Sequence, residues 1–203
     1  AASYKLCFDS KKGVVANTPL KDSFSQHASI MAVLAGAVPA EEEKVLLNKV
    51  LMDTTLSQAT FYYRFYLNQA LKKAGMANLY YAQLKPWREM LQNGLTTFAE
   101  NPDPTRSDCH AWSASPNYDF LSIICGIMPA DAGFKRILIQ PALGELKQVT
   151  AHMPHPAGII NLSLKRSGEG IEGDVDLPAN LSGVFKWNGK EVQLVGGAQK
   201  IKF

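Results

Sequence analysis

The stretch TTFAENPDPTRSDCHAW, from Thr96 to Trp112, carries a carboxylate (Glu100), an imidazole (His110) and two large rings (Phe98, Trp112) in an irregular, proline-containing context. A carboxylate can take up a proton, an imidazole can give or accept a hydrogen bond, and an aromatic face can stack on an apolar surface. Irregular connections of this length within compact domains are either functional or disordered, and these rings argue against disorder. By residue type alone, however, Glu100 is one of 18 acidic residues, and an exposed loop carboxylate is the default.

Other groupings have structural readings. Glu41, Glu42 and Glu43 fall in the first turn of a predicted helix, where carboxylates meet the positive end of its dipole. Cys7, Cys109 and Cys125 are odd in number and widely spaced, which argues against a disulfide framework and against a zinc site and predicts buried thiols. His152 and His155 have a metal-like spacing, but HMPHPAG reads as a proline-containing hairpin turn with no third ligand. Gln26 and His27 fit structural hydrogen bonding or substrate contact. Helical spacing favours core over pocket lining for Phe61, Tyr62, Tyr63, Phe65 and Tyr66.

The elements that must position these residues come in two styles. Helices are predicted for Asp22 to Val38, from Pro39 onward, for Thr60 to Ala74, for Asn78 to Asn93 with a break near Pro86, and from Ser115 and Pro116 to Gly126. After Pro129 the period becomes alternating. Short strands are expected around Ile137 and at Ile159 to Leu164, Ile171 to Leu177, Val184 to Trp187, Val192 to Val195 and Ile201 to Phe203, forming an antiparallel sandwich of about seven strands. The division falls near residue 133. The helical part has too few helices to close a layer by itself, which predicts exposed apolar surface and self-association.

The 203 residues are 46% hydrophobic and 19% charged with a mean hydropathy of -0.09, the proportions of a folded globular chain. No apolar run is long enough to span a membrane, so no membrane partner is expected. The net charge of +3 forms no basic stripe, and nucleic acid is an unexpected partner.

Taken in order, SFSQHASIMAVLAGAVP, ATFYYRFYLNQALKKAG, EMLQNGLTTFAE, SDCHAWSASPNYDFLSIICGIMPADAGFKRILIQP and LPANLSGVFKWNGKEVQL resemble the C-terminal part of bacterial α-L-rhamnosidases of the six-hairpin type. The resemblance implies an α+β multidomain chain. Residues 1–133 would supply the last helices of an (α/α)6 barrel, and residues 134–203 a C-terminal β-sandwich. It further implies an inverting glycoside hydrolase that removes terminal α-L-rhamnose without a cofactor, with Glu100 of the TT-x-x-E motif as general base. Ala99 stands where many relatives carry tryptophan. The general acid would lie earlier in the barrel, outside these residues, so Asp22, Asp103, Asp108 and Asp119 are poor candidates and the remainder of the polypeptide is an implied partner.

A rhamnose ring offers an apolar face and several hydroxyls, which suits Trp112 and Phe98 as walls and His110 as a hydrogen-bonding group. The alternatives are a core plug for Trp112 and a satisfied structural role for His110. Two other functions remain open at this stage: a non-catalytic carbohydrate-binding or scaffold module, and a related six-hairpin glycosidase of other sugar specificity. The sandwich has only Phe134, Phe185, Trp187 and Phe203 as aromatic side chains, a weak basis for a stacking platform.

Overall fold

The computed structural model describes every residue except Ala1, Pro102, Asp103 and Thr105. It contains two compact units, Ala1–Ser115 and Pro116–Phe203.

The first unit opens with α1 (Ala2–Cys7) and a two-stranded hairpin, β1 (Phe8–Asp9) and β2 (Val14–Val15), none of which was predicted. Asp9 closes the hairpin by accepting the Lys11 and Lys12 amides at 2.9 and 2.8 Å. There follow α2 (Gln26–Leu34), α3 (Ala40–Met52) and α4 (Phe61–Lys73). The first and third are shorter than the helices read from periodicity, Asp22 to Val38 and Thr60 to Ala74. Ser25 stands at the start of α2 but does not cap it; its hydroxyl donates to Asn17 Oδ1 at 2.6 Å instead. Pro39 precedes α3 as expected, since it lacks the N–H that a first turn would leave unpaired.

The apolar faces of these helices make one core. Ile30 and Val33 from α2, Leu46, Leu47 and Val50 from α3, and Leu67, Ala70 and Leu71 from α4 are buried against Val14 and Val15 of β2. Gln26 ties the helices together inside it. Its amide donates to the Val50 carbonyl at 2.9 Å and its oxygen accepts the Ala59 N–H at 2.8 Å, so a carbonyl in the last turn of α3 and an N–H between α3 and α4 are satisfied by one buried side chain. Glu43 is also buried, in an ion pair with Lys73 that the dipole argument does not foresee.

The fourth predicted helix is in fact a short 3₁₀ turn (Ala77–Leu79), then α5 (Tyr80–Gln83) and α6 (Lys85–Gln92), separated at Leu84 because Pro86 sits in the first turn of α6. The fifth begins as α7 (Ser115–Asp119) and continues as a π-helical turn (Phe120–Ile124), with Cys125 N–H bonded to Phe120 O at 3.0 Å. No described helix is long and apolar enough to cross a membrane.

The second unit contains two four-stranded sheets. One has the order β10-β7-β6-β5, formed by β5 (Gln148–His155), β6 (Gly158–Ser167), β7 (Gly170–Leu177) and β10 (Gly197–Lys202), all antiparallel. The other has the order β3-β4-β8-β9, formed by β3 (Ile127–Pro129), β4 (Arg136–Ile139), β8 (Ser182–Trp187) and β9 (Lys190–Leu194). The expectation of a wholly antiparallel sandwich is corrected here: β4 and β8 run parallel, Ile137 opposite Gly183 and Ile139 opposite Phe185. The reason is connectivity. Three strands of the other sheet intervene between them, giving the chain the long crossover that parallel neighbours require.

Alternate residues of both sheets are buried: Ile137, Ile139, Phe185 and Leu194 from one, Ile160, Leu162, Leu164, Ile171 and Val175 from the other. The Trp187 indole donates to Glu169 O at 3.0 Å, so its N–H is satisfied at the edge of this core. Gly126, before β3, adopts left-handed backbone at φ 69, and a Cβ there would lie 2.0 Å from Gln140 O. Only glycine lets the two backbones approach so closely.

Candidate active site

The site residues lie on chain that is neither helix nor strand but is nonetheless fixed. Glu100 N–H donates to Ser107 O at 2.8 Å, His110 N–H donates to Phe98 O at 2.7 Å, and the Thr97 hydroxyl donates to Asp108 O. These bonds fold 97–100 back along 107–110 and bring residues ten positions apart in sequence side by side. Beyond them a 3₁₀ turn, Ala111–Ala114, presents Trp112. The turn is pinned by the Trp87 indole of α6, which donates to Ser113 O at 2.7 Å and whose ring lies 5.1 Å from that of Phe61 on α4.

Glu100 is 5% exposed. Both its carboxylate oxygens accept from the Arg106 guanidinium, Nε to Oε2 at 2.8 Å and Nη2 to Oε1. His110 Nε2 stands 3.9 Å from Oε1. The hydrogen bonds from Arg106 lower the Glu100 pKa; burial opposes this, and the charges of Arg106 and His110 add to the lowering. The result is a carboxylate kept ionised in a largely water-excluded position.

From His110 the site continues into aromatic side chains. The His110 and Trp112 rings are 4.2 Å apart, and Trp112 is 5.5 Å from Tyr62 of α4. Tyr62, Phe65, Tyr66, Ala111, Trp112 and Ser115 line a groove of about 310 Å³. Trp112 is 44% exposed and Tyr62 47%, so Trp112 is not a core plug and Tyr62 departs from the core role read from helical spacing. Phe61 keeps that role at 1% exposure, while Tyr63, Phe65 and Tyr66 are half-buried. His110 Nδ1 has no hydrogen-bond partner among the described residues. Phe98 is half-buried, and its carbonyl is the group that aligns His110.

The remaining chemical residues are placed elsewhere. Gln26 is a structural clamp, and the half-buried His27 ring lies 4.0 Å from Tyr63, its pKa lowered by desolvation. His152 and His155 are on β5 rather than in a turn. One ring is bonded to Asn161 Oδ1 at 2.7 Å and the other to Phe134 O at 2.9 Å. Of the cysteines only Cys125 is buried, and burial pushes its thiol up to about 11; Cys7 is half-buried and Cys109 exposed, because the latter sits on the irregular loop. Asp22 is exposed and accepts the Thr18 hydroxyl at 2.8 Å, Asp108 is exposed, Asp119 is fully buried, and Asp103 lies outside the described residues. Arg106 escaped the sequence reading; a cation six residues beyond a motif glutamate was its only trace.

Residues 126–202 match the family described as the bacterial alpha-L-rhamnosidase C-terminal domain. An alpha-L-rhamnosidase of Alteromonas sp. (strain LOR) is 27% identical over 188 residues, 82% of this chain and 20% of the relative, so the chain spans about a fifth of that protein's length. Among solved structures, the GH78 family rhamnosidase of Bacillus sp. GL1 superposes with a TM-score of 0.78 at 24% identity, over 91% of this chain and 22% of the other. The alpha-L-rhamnosidase of Dictyoglumus thermophilum gives 0.77 at 17% identity, over 96% and 27%. Residues 126–202 carry the pattern of the bacterial α-L-rhamnosidase C-terminal domain, and the chain as a whole resembles the C-terminal part of α-L-rhamnosidases.

Proposed function

We propose that this chain is the base-bearing part of an inverting α-L-rhamnosidase, with residues 1–133 contributing the last helices of an (α/α)6 catalytic barrel and residues 134–203 a C-terminal β-sandwich domain. The observation that carries the reading is Glu100. It is a buried carboxylate whose pKa is lowered by Arg106, beside an imidazole whose Nδ1 has no hydrogen-bond partner among the described residues and whose ring lies 4.2 Å from that of Trp112, a wall of the aromatic groove. Glu100 takes a proton from water as that water attacks the anomeric carbon of a terminal rhamnose. His110 hydrogen-bonds a sugar hydroxyl, and Trp112 and Phe98 furnish apolar walls. The second carboxyl group of an inverting site stands about 6.5–9.5 Å from the first and protonates the leaving oxygen. We assign it to the rest of the polypeptide, and rhamnose-containing carbohydrate to the site.

Two measurements test this. The 203-residue chain alone is expected to leave an aryl α-L-rhamnoside intact, because one carboxylate cannot both protonate the leaving group and activate water. The enzyme containing it is expected to release β-rhamnose first, as followed by proton NMR before mutarotation. Turnover by the isolated chain would overturn the division of labour, and initial release of α-rhamnose would overturn the assignment of Glu100 as a base acting on water.

A further inference from the structure

The fork between Arg106 and Glu100 has a property that the proposed reaction does not itself require. A carboxylate has about four lone-pair positions, and a guanidinium that reaches both oxygens occupies one on each. One position on each oxygen is left. The two partners also differ sharply in exposure: the Glu100 side chain is 6% exposed and that of Arg106 is 78%. The guanidinium therefore lies on the solvent side of the carboxylate. Closure of the backbone between Glu100 and Ser107 at 2.8 Å keeps the two residues within reach of one another. Among the described residues the charged or titratable groups acting on Glu100 are Arg106 and His110, and the latter stands 3.9 Å off, beyond hydrogen-bond distance.

We propose that Arg106 is a positioning residue for the hydrolysis: its planar fork fixes the plane of the Glu100 carboxylate and balances its charge, leaving the lone pairs outside the fork to hold the attacking water. This rests on the reading of Glu100 as the base. Without a fork, a carboxylate as enclosed as Glu100 is free to rotate and is penalised for its charge by desolvation. With it, orientation and ionisation are both held by one residue, which acts on the reaction through Glu100. Lysine would supply charge but not the planar fork, so the two contributions are separable.

The test uses Arg106→Gln and Arg106→Lys. In the 203-residue chain, titration of the Glu100 carboxyl carbon by NMR reads the ionisation directly, independently of catalysis. Arg106→Gln is expected to move the midpoint to higher pH, and Arg106→Lys to move it less. In the enzyme containing the chain, the acid limb of the kcat/KM profile should move in the same direction. The ratio of kcat/KM at the acid edge to that at neutral pH should fall about tenfold in Arg106→Gln, with KM nearly constant. Arg106→Lys should restore the acid limb more fully than kcat. An unchanged midpoint in a folded Arg106→Gln chain, or a pH profile that superimposes on the original, would overturn the proposal. Full kcat in Glu100→Gln would instead defeat the base assignment while leaving the NMR result standing, so the two failures are distinct.

Discussion

Glu100→Gln in the enzyme containing this chain is the substitution most exposed to refutation. Glutamine keeps the shape and hydrogen-bonds through one oxygen, so the fork loses one of its two bonds: an amide NH₂ replaces one acceptor and faces a guanidinium donor. Arg106 is 78% exposed and can rehydrate, so little stability is at stake and the thermal midpoint should stay within about 2 °C. Water activation, by contrast, is lost. A general base contributes about 100-fold to 10,000-fold in rate, so kcat should fall by at least about 100-fold. His110, Trp112 and Phe98 are untouched, and KM should change by no more than about threefold. Initial rates on an aryl α-L-rhamnoside, with and without azide, supply the assay. Azide needs no base, and its attack from the face opposite the leaving group yields a β-configured rhamnosyl azide with partial recovery of turnover. A variant that keeps near-full kcat, or one whose loss lies wholly in KM, would refute the reasoning.

Gly126→Ala should unfold or strongly destabilise the second unit, by more than about 3 kcal/mol, since a Cβ at φ 69 would lie 2.0 Å from Gln140 O; a thermal melt with an unchanged midpoint would contradict this. Gln26→Ala leaves the Val50 carbonyl and the Ala59 N–H unpaired in the core and should cost the first unit about 2–4 kcal/mol by urea denaturation, with a cost under about 0.5 kcal/mol counting against the clamp. Asp9, held down first by the Lys12 amide, Asp53, held down first by the Thr55 hydroxyl, and Glu100, held down first by Arg106, all have lowered folded-state pKa values. Their contribution is therefore complete above the ordinary carboxylate range and lost as pH falls through the lowered values. Thermal midpoints of the first unit should be level from about pH 7 to 5 and fall below about pH 4; a rise on acidification would show the sign to be wrong.

The sequence was most legible where one face of an element meets one core. The stripes of α2, α3 and α4 and the alternation of β6, β7 and β8 each repeat a period that burial imposes, and the structure places all six near their expected positions. β5 was missed because it lies at the sheet edge, buries only Ala151 fully and carries Pro154, which an edge tolerates. The β1–β2 hairpin was missed because two-residue strands show no period, and the turn that makes it depends on Asp9 accepting amides two and three residues on. The π-helical turn after α7 leaves no mark in an apolar run such as Phe120 to Ile124.

The site was legible in its parts but not in its arrangement. Motif residues at Glu100, His110 and Trp112 point to a family, yet their proximity depends on backbone bonds such as Glu100 to Ser107 and His110 to Phe98, which involve groups common to every residue. Side-chain types cannot report such bonds, so the fork from Arg106 was invisible. Exposure makes the same distinction for the aromatic residues. Phe61 and Tyr62 are consecutive on α4 and equally suited to a core, but they point to different sides of the helix, and only Tyr62 reaches Trp112. On the proposed reading, α4 therefore does two jobs with adjacent residues. Phe61 packs on Trp87, whose indole holds the Ser113 turn in place, and Tyr62 meets the ring that this turn presents. Weakening the buried contact between Phe61 and Trp87 would thus loosen the groove without touching any residue that lines it.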